Sequence, residues 1–438
     1  MLTNPLPAAP ARAEPRELLE PAPSRVGGHR RRALLRSACR RRFAMLLLAA
    51  GMIGAAAAAE VDARPPVERV VHAFTGSDGA GPVTGLVVGD DSNLYGTSYT
   101  GGSGLGTVFR LSAAGRLTVL HRFGGSDGAL PAVGLVAAAD GDFYGLTSGG
   151  GAANGGTAYR ISKTGVFTLL HAFDPATEGY NAYLGALVQG ADGNFYGVNS
   201  QGGPGGRGVA FRMTPGGSVT VLHAFSGLDG DGISPIGGLV PAGDGGFYGA
   251  TLQGGLHGGG TLYRLDTSGE LRYLYHFSVD TPAPAFPQAA PVPGPDGFLY
   301  GSTGTGGAHQ FYGTVYKVRP DGQGFAVLHD FAGGVGNVDS PNSDGWSPIG
   351  SLVLGGDGSF YGVTSEGGTN TTVSTSGDGI VFRVSPAGDY AVAHAFGASA
   401  QDGSGPAAGL VQRGRFLFGT TRHGGTGGEG TVFSLMPR

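Results

Sequence analysis

The chain has 438 residues, 88 of them glycine, only 14% charged residues and a formal net charge of −4. The charge is uneven: residues 1–59 carry ten arginines against three acids, which leaves 18 basic and 29 acidic residues in 60–438, a balance of −11. So acidic a region is not built to hold nucleic acid or an anionic membrane, and aromatic and aliphatic residues recurring at fixed offsets exclude a disordered glycine-rich tract.

At the N-terminus, Arg30-Arg31-Arg32, Arg36 and Arg40-Arg41-Arg42 lead into an apolar run from Phe43 to Ala59 that ends in small residues, Ala57-Ala58-Ala59. This is the layout of a secretory signal cleaved after Ala59, and Arg40-Arg41-Arg42-Phe43 also resembles a twin-arginine export signal. The run is too short and alanine-rich for a membrane span. The expected organisation is a leader and signal peptide over 1–59 and one repeat domain over 60–438, in a protein exported to the periplasm or beyond, with no membrane span in the mature chain. The single cysteine, Cys39, lies before the apolar run, so the exported chain has neither disulfide nor thiol chemistry.

Past the leader one phrase recurs seven times. Its first copy reads Val71-His72-Ala73-Phe74, Asp78-Gly79, Pro82, Gly85-Leu86-Val87, Asp91, Leu94-Tyr95-Gly96, Gly101-Gly102 and Gly106-Thr107-Val108-Phe109-Arg110. The closing phenylalanine returns at Phe123, Phe173, Phe225, Phe277, Phe331 and Phe396, a period of 49 to 65 residues, which signals a repeat architecture. Within a copy, four short strands are predicted, in the first at about 84–89, 93–99, 106–112 and 116–123, and no helical period follows residue 60. Four strands per 50 residues, seven times, predict an all-β, seven-bladed β-propeller; a β-helix would have shorter rungs. The last copy stops after Gly430-Thr431-Val432-Phe433-Ser434-Leu435 and lacks the His-x-Phe phrase, which stands instead at Val67-Glu68-Arg69-Val70-Val71-His72-Ala73-Phe74. That N-terminal strand is expected to complete the seventh blade and close the ring.

The combined pattern, as in Leu120-His121-Arg122-Phe123, Asp127-Gly128, Gly134-Leu135-Val136, Asp140-Gly141-Asp142-Phe143-Tyr144-Gly145 and Gly156-Thr157-Ala158-Tyr159, resembles the bacterial GloVer, or choice-of-anchor, tandem repeat over residues 70–436. The resemblance implies an exported protein and supplies no catalytic residues. Members often end in an anchoring tail; this chain ends at Met436-Pro437-Arg438, so release or periplasmic residence is expected.

The recurring histidines, His72, His121, His171, His223, His329 and His394, with His276 displaced by one position, fall one per blade, too far apart to share a metal ion; a strand-locking hydrogen bond is expected of each. Tyr95, Tyr144, Tyr196, Tyr248, Tyr300 and Tyr361, with Phe418 in the seventh copy, read as packing between blades. Six turn acids (Asp91, Asp140, Asp192, Asp244, Asp296, Asp357) face six third-strand bases (Arg110, Arg160, Arg212, Arg264, Lys317, Arg383), and both are lost together in the seventh copy at Arg413-Gly414 and Ser434, which predicts an intrablade ion pair in six blades. No cofactor or metal is expected; a turn such as Asp91 or Asp140 with Asp142 offers too few oxygens for calcium.

Function is expected where the copies differ. The atypical loops 278–291, 304–313, 332–348 and 365–379, all of blades 5 and 6, place His309, Phe311, Tyr312, Asn342, Asp344, Trp346 and Glu366, with Phe286, Asp339, Asn370 and Thr371, on one face. Aromatic platforms beside Asn, Asp and Thr suit a sugar. The expected function is an exported, non-catalytic module binding an extracellular glycan or protein there. The alternatives are a polysaccharide lyase or hydrolase, with Asp339, Asp344 and Glu366 as candidate carboxylates, and a structural envelope component.

Overall fold

The computed structural model describes residues 67–437 apart from 184, 281, 333–343 and 370–376. The leader 1–59 with Cys39, and Asp339, Asn342, Asn370 and Thr371, lie outside the described residues. Among the described residues every regular element is a β-strand, and the strands form seven antiparallel sheets. Blade 1 is built from Val87–Val88, Leu94–Ser98, Thr107–Leu111 and Leu117–Arg122. Blades 2–6 repeat this order, with second strands Phe143–Leu146, Phe195–Asn199, Phe247–Gly254, Leu299–Thr305 and Phe360–Glu366. Blade 7 combines Gly403–Pro406 and Val411–Arg413 with Phe416–Gly424 and Thr431–Met436, and its outermost strand is Val67–Ala73. The molecule is a seven-bladed β-propeller, closed by the strand that comes first in the chain.

A β-bulge marks the fourth strand of every blade. In blade 1 Val119 pairs with Phe109 and His121 with Val108, leaving Leu120 as the extra residue. The same place holds Leu170, Leu222, Leu274, Leu328 and Ala393 in blades 2–6, and Val71 in the closing strand. A bulge breaks the twofold alternation, and all seven extra residues pack into the apolar clusters between blades. The closing strand therefore carries the repeat's own irregularity, not merely its strand direction.

Each of those clusters is shared by neighbours: Tyr95, Val108 and Phe123 of blade 1 pack with Leu135, Phe143, Tyr159 and Ile161 of blade 2. Where the next blade offers a phenylalanine the second-strand tyrosine packs on it, Tyr95 on Phe143 at 4.0 Å and Tyr144 on Phe195 at 4.1 Å between ring centres. The glycine after each tyrosine admits a third-strand ring; a Cβ on Gly145 would lie 2.4 Å from the Tyr159 hydroxyl. That hydroxyl, with those of Tyr263 and Tyr316, is buried with no hydrogen-bond partner, while Phe109, Phe211, Phe382 and Phe433 fill the place in other blades. Removing a buried unsatisfied hydroxyl is neutral to stabilising. Tyr159→Phe should thus leave stability unchanged or raise it by about 1 kcal/mol in urea titrations; a loss of that size would show that the hydroxyl has a partner.

The innermost strands of blades 1–3 are only two residues long, and near the axis adjacent blades meet backbone to backbone. A Cβ on Gly185 would sit 2.1 Å from the Gly238 nitrogen, and one on Gly350 2.4 Å from the Gly409 nitrogen.

Candidate ligand-binding face

On one end of the ring the loops joining successive blades meet the loops between second and third strands. Ala80 and Thr100 exchange backbone hydrogen bonds of 2.9 and 3.1 Å, and Ala129 with Gly149 and Tyr180 with Gln201 do the same. Both residues of the Gly101-Gly102 pair adopt left-handed backbone, at φ +82° and +64°. A Cβ on Gly101 would strike backbone atoms at 2.6 Å, so this doublet is a requirement of the loop pairing.

The repeated histidines clasp this face. His72, His121, His171 and His223 place Nε2 at 2.9, 2.8, 2.7 and 3.2 Å from Asp78, Asp127, Glu178 and Asp231 of the following loop, and His329 lies 3.3 Å from Asp344. The same acids accept the backbone N–H of the residue after the closing phenylalanine, as in Thr75, Gly124, Asp174, Ser226 and Ala332. The expected hydrogen bond thus locks a strand to the incoming loop of the next blade at His72, His121, His171 and His223; at His329 and His394 the acid stands at ion-pair distance, 3.3 and 3.8 Å, without a hydrogen bond to Nε2. In blade 4 the register moves: Tyr275 takes the histidine's place and stacks on Phe325 at 4.4 Å, while His276 accepts the Leu256 N–H.

Asp231 has the densest clasp. Burial works to raise its pKa, but hydrogen bonds from His223, Tyr273 and Ser226 override it and hold the carboxyl well below the usual range. A depressed folded-state pKa stabilises the fold at every pH above the unfolded value, and that contribution is lost as pH falls through the folded value. Asp231→Asn is expected to cost about 1–3 kcal/mol at pH 7. Urea titrations at several pH values should show the gap to wild type narrowing below about pH 4; a pH-independent gap would refute the role of the charge.

At the opposite end of the ring the expected Asp–Arg pairing needs correction. It forms in Asp244–Arg264 at 2.8 Å and Asp357–Arg383 at 2.9 Å. Elsewhere Arg160 turns to Asp142 at 3.6 Å, Arg110 donates to the Lys163 carbonyl and Lys317 to that of Pro386. The turn aspartates are instead bound by the tyrosine four residues on: Tyr95, Tyr144, Tyr196, Tyr300 and Tyr361 donate to Asp91, Asp140, Asp192, Asp296 and Asp357 at 2.6 to 3.0 Å. The phenol sits on a ring already buried between blades and reaches the turn at little cost in side-chain entropy, unlike a long arginine. Burial and this bond push the Tyr95 phenol up to about 12.

Of the residues expected to bind ligand, Trp346 and Tyr312 come together, their rings edge to face at 5.7 Å. Trp346 opens the first strand of blade 6, opposite Glu366 in the register. Phe311, in the adjoining turn, is 68% exposed, and His309 is exposed beside it. Asp344 takes the acid's place in the His329 clasp, and Asn342 lies outside the described residues.

Two features of this face were not expected. The residue before the loop proline, or its equivalent, is left-handed in all seven copies, at Gly81, Leu130, Asn181, Ser234, Phe286, Ser347 and Gly405 with φ between +53° and +61°. Only two of these are glycine, and an L-residue there costs roughly 1–2 kcal/mol. The second feature is a 420 Å³ cavity lined by Tyr99, Thr100, Tyr183, Arg422, His423 and Glu429 with Gly81 and Val83. Tyr99 and Arg422, and Thr100 and His423, occupy the two places before the glycine doublet, where the copies differ; that variability is the signal in the sequence that could have found them.

Among the described residues one group has the composition of a metal site: Glu68, His394 and Asp402 bring ligand atoms within 4.8 Å of one another. Glu68 stands where other copies have an apolar residue such as Leu117 or Phe167, and burial raises its carboxyl to about 7. Two carboxylates and an imidazole match the donors of a borderline divalent cation.

The sequence matches the Gloeobacter/Verrucomicrobia repeat over residues 58–189 and 182–433. The chain belongs to this family. No curated protein matches the Gloeobacter/Verrucomicrobia repeat chain. Among solved structures it is similar to a GH74 xyloglucanase of Xanthomonas campestris at 15% identity and a TM-score of 0.54, covering 84% of this chain and 55% of the enzyme. It is also similar to an oligogalacturonate lyase of Vibrio parahaemolyticus at 10% identity and a TM-score of 0.49, covering 85% and 97%. A third is TolB of Acinetobacter baumannii at 14% identity and a TM-score of 0.39, covering 65% and 58%. The Gloeobacter/Verrucomicrobia repeat chain thus spans little more than half of TolB and of the xyloglucanase, and these likenesses concern the propeller fold.

Proposed function

We propose that this propeller is an exported, non-catalytic binding module that holds a glycan on its loop face at blades 5 and 6. The observation that carries the reading is the Trp346–Tyr312 pair, set edge to face at 5.7 Å, with Glu366 across the register and Phe311 standing 68% exposed in the next turn. Aromatic faces stack on the C–H surfaces of sugar rings, and a neighbouring carboxylate accepts their hydroxyls. The family match adds no catalytic residue, and the hydrolase alternative is weakened because Asp344, one of its candidate carboxylates, is engaged by His329 at 3.3 Å.

The test is retention of the purified protein on a panel of bacterial and plant polysaccharides. Against a retained polysaccharide, Trp346→Ala should weaken binding at least tenfold, about 1.4 kcal/mol, with the thermal transition preserved. Retention unchanged by the substitution would move the site elsewhere. Release of new reducing ends during incubation would replace binding with hydrolysis.

A further inference from the structure

Blade 7 departs from the repeat at the end of the ring away from the loop face. Its first turn is shortened to a tight hairpin in which Arg413 pairs directly with Phe416, with Gly414 left-handed at φ +60°. The turn aspartate, the tyrosine hydroxyl and the third-strand base of the other blades are all missing, replaced by Arg413 and Arg415, Phe418 and Ser434. A third arginine, Arg69, faces Ser434 from the closing strand. Between these residues and the Ala113–Gly115 turn of blade 1 lies a cavity of 640 Å³, and no acid lines it.

The guanidinium groups are positioned but not neutralised. Arg413 lies 4.4 Å above the Phe418 ring and donates one N–H to the Ser92 carbonyl at 2.9 Å. Arg415 lies 5.3 Å over Phe416. Among the described residues none of the three arginines has a carboxylate within ion-pair distance, although residues 60–438 hold 29 acids against 18 bases. A guanidinium stacked on a ring keeps its planar edge of donors for a partner, and that edge matches the two oxygens of a carboxylate.

We propose that this groove between blades 7 and 1 binds an acidic sugar, its carboxylate on Arg413 and Arg415 and its ring against Phe416. The site is independent of the loop face, so Trp346→Ala leaves it intact.

Isothermal titration of the purified protein would use a glucuronate-bearing oligosaccharide, its neutral glucose counterpart and inorganic sulfate. The expected result is saturable binding of the acidic oligosaccharide, weakened by salt, at least tenfold tighter than the neutral one. Binding should fall at least tenfold in Arg415→Gln and further in the Arg413→Gln, Arg415→Gln pair, but be unchanged in Arg122→Gln on the other face. Arg415 is exposed, so its single variant separates lost binding from lost folding. The proposal is overturned if millimolar oligosaccharide gives no heat, if Arg122→Gln weakens binding equally, or if sulfate binds as well as the uronate, since the sugar ring would then contribute nothing.

Discussion

A chain that begins at Thr75, without the strand Val67–Ala73, is expected to lose its cooperative thermal transition and to elute as oligomers. The strand pairs along its length with Thr431–Met436, and Phe74, fully buried, joins Leu86, Leu94, Phe109 and Leu111 of blade 1 to Phe418 and Val432 of blade 7. Losing Phe74 alone forfeits about 3–5 kcal/mol, against a total stability of about 5–15 kcal/mol for a typical domain. Truncation also leaves Thr431–Met436 as an unpaired edge, which templates association. Circular dichroism melts and size-exclusion chromatography would decide, with a permutant carrying residues 67–74 after residue 437 as the control. The permutant should recover both the transition and the monomer. A truncated chain that melts like the intact one would show that ring closure is dispensable.

The second large effect is expected from one methyl group at the axis. Gly185 has no left-handed backbone to protect, yet a Cβ there would lie 2.1 Å from the Gly238 nitrogen and 2.4 Å from its Cα. Both obstacles are backbone, so neither can rotate away, and blades 3 and 4 would have to part. Overpacking of this kind costs about 1–3 kcal/mol or more, so Gly185→Ala should lower the urea midpoint substantially. Gly193→Ala is a poor control because that glycine is left-handed at φ +80°. Gly216, whose Cβ would meet only the Thr214 hydroxyl at 3.9 Å, serves better. Equal midpoints for the two alanine variants would refute close backbone packing at the axis.

Much of the site was harder to read than the ring. The histidine pattern announced a structural bond, yet its acidic partner lies anywhere from six residues on, as in His72–Asp78, to fifteen, as in His329–Asp344, and in blade 4 the pattern slips so that Tyr275 takes over. The aspartate and arginine columns are equally regular in sequence, but the aspartates take the tyrosine hydroxyl in five blades because a ring buried between blades is already immobile. Trp346 and Tyr312, 34 residues apart in the chain, were both marked by unusual loops; their meeting edge to face was not.

The sequence by itself determined the number of blades, the four-strand order and the closure of the ring. Period and alternation are local properties, and the missing His-x-Phe phrase at one end is present at the other. Only the tertiary structure decided which polar groups pair, which residues are forced into left-handed backbone, and that Arg69, Arg413 and Arg415 share one cavity. Hydrogen bonds and ion pairs depend on separations of a few ångströms between residues that can be hundreds of positions apart, and a repeat pattern carries no such distances.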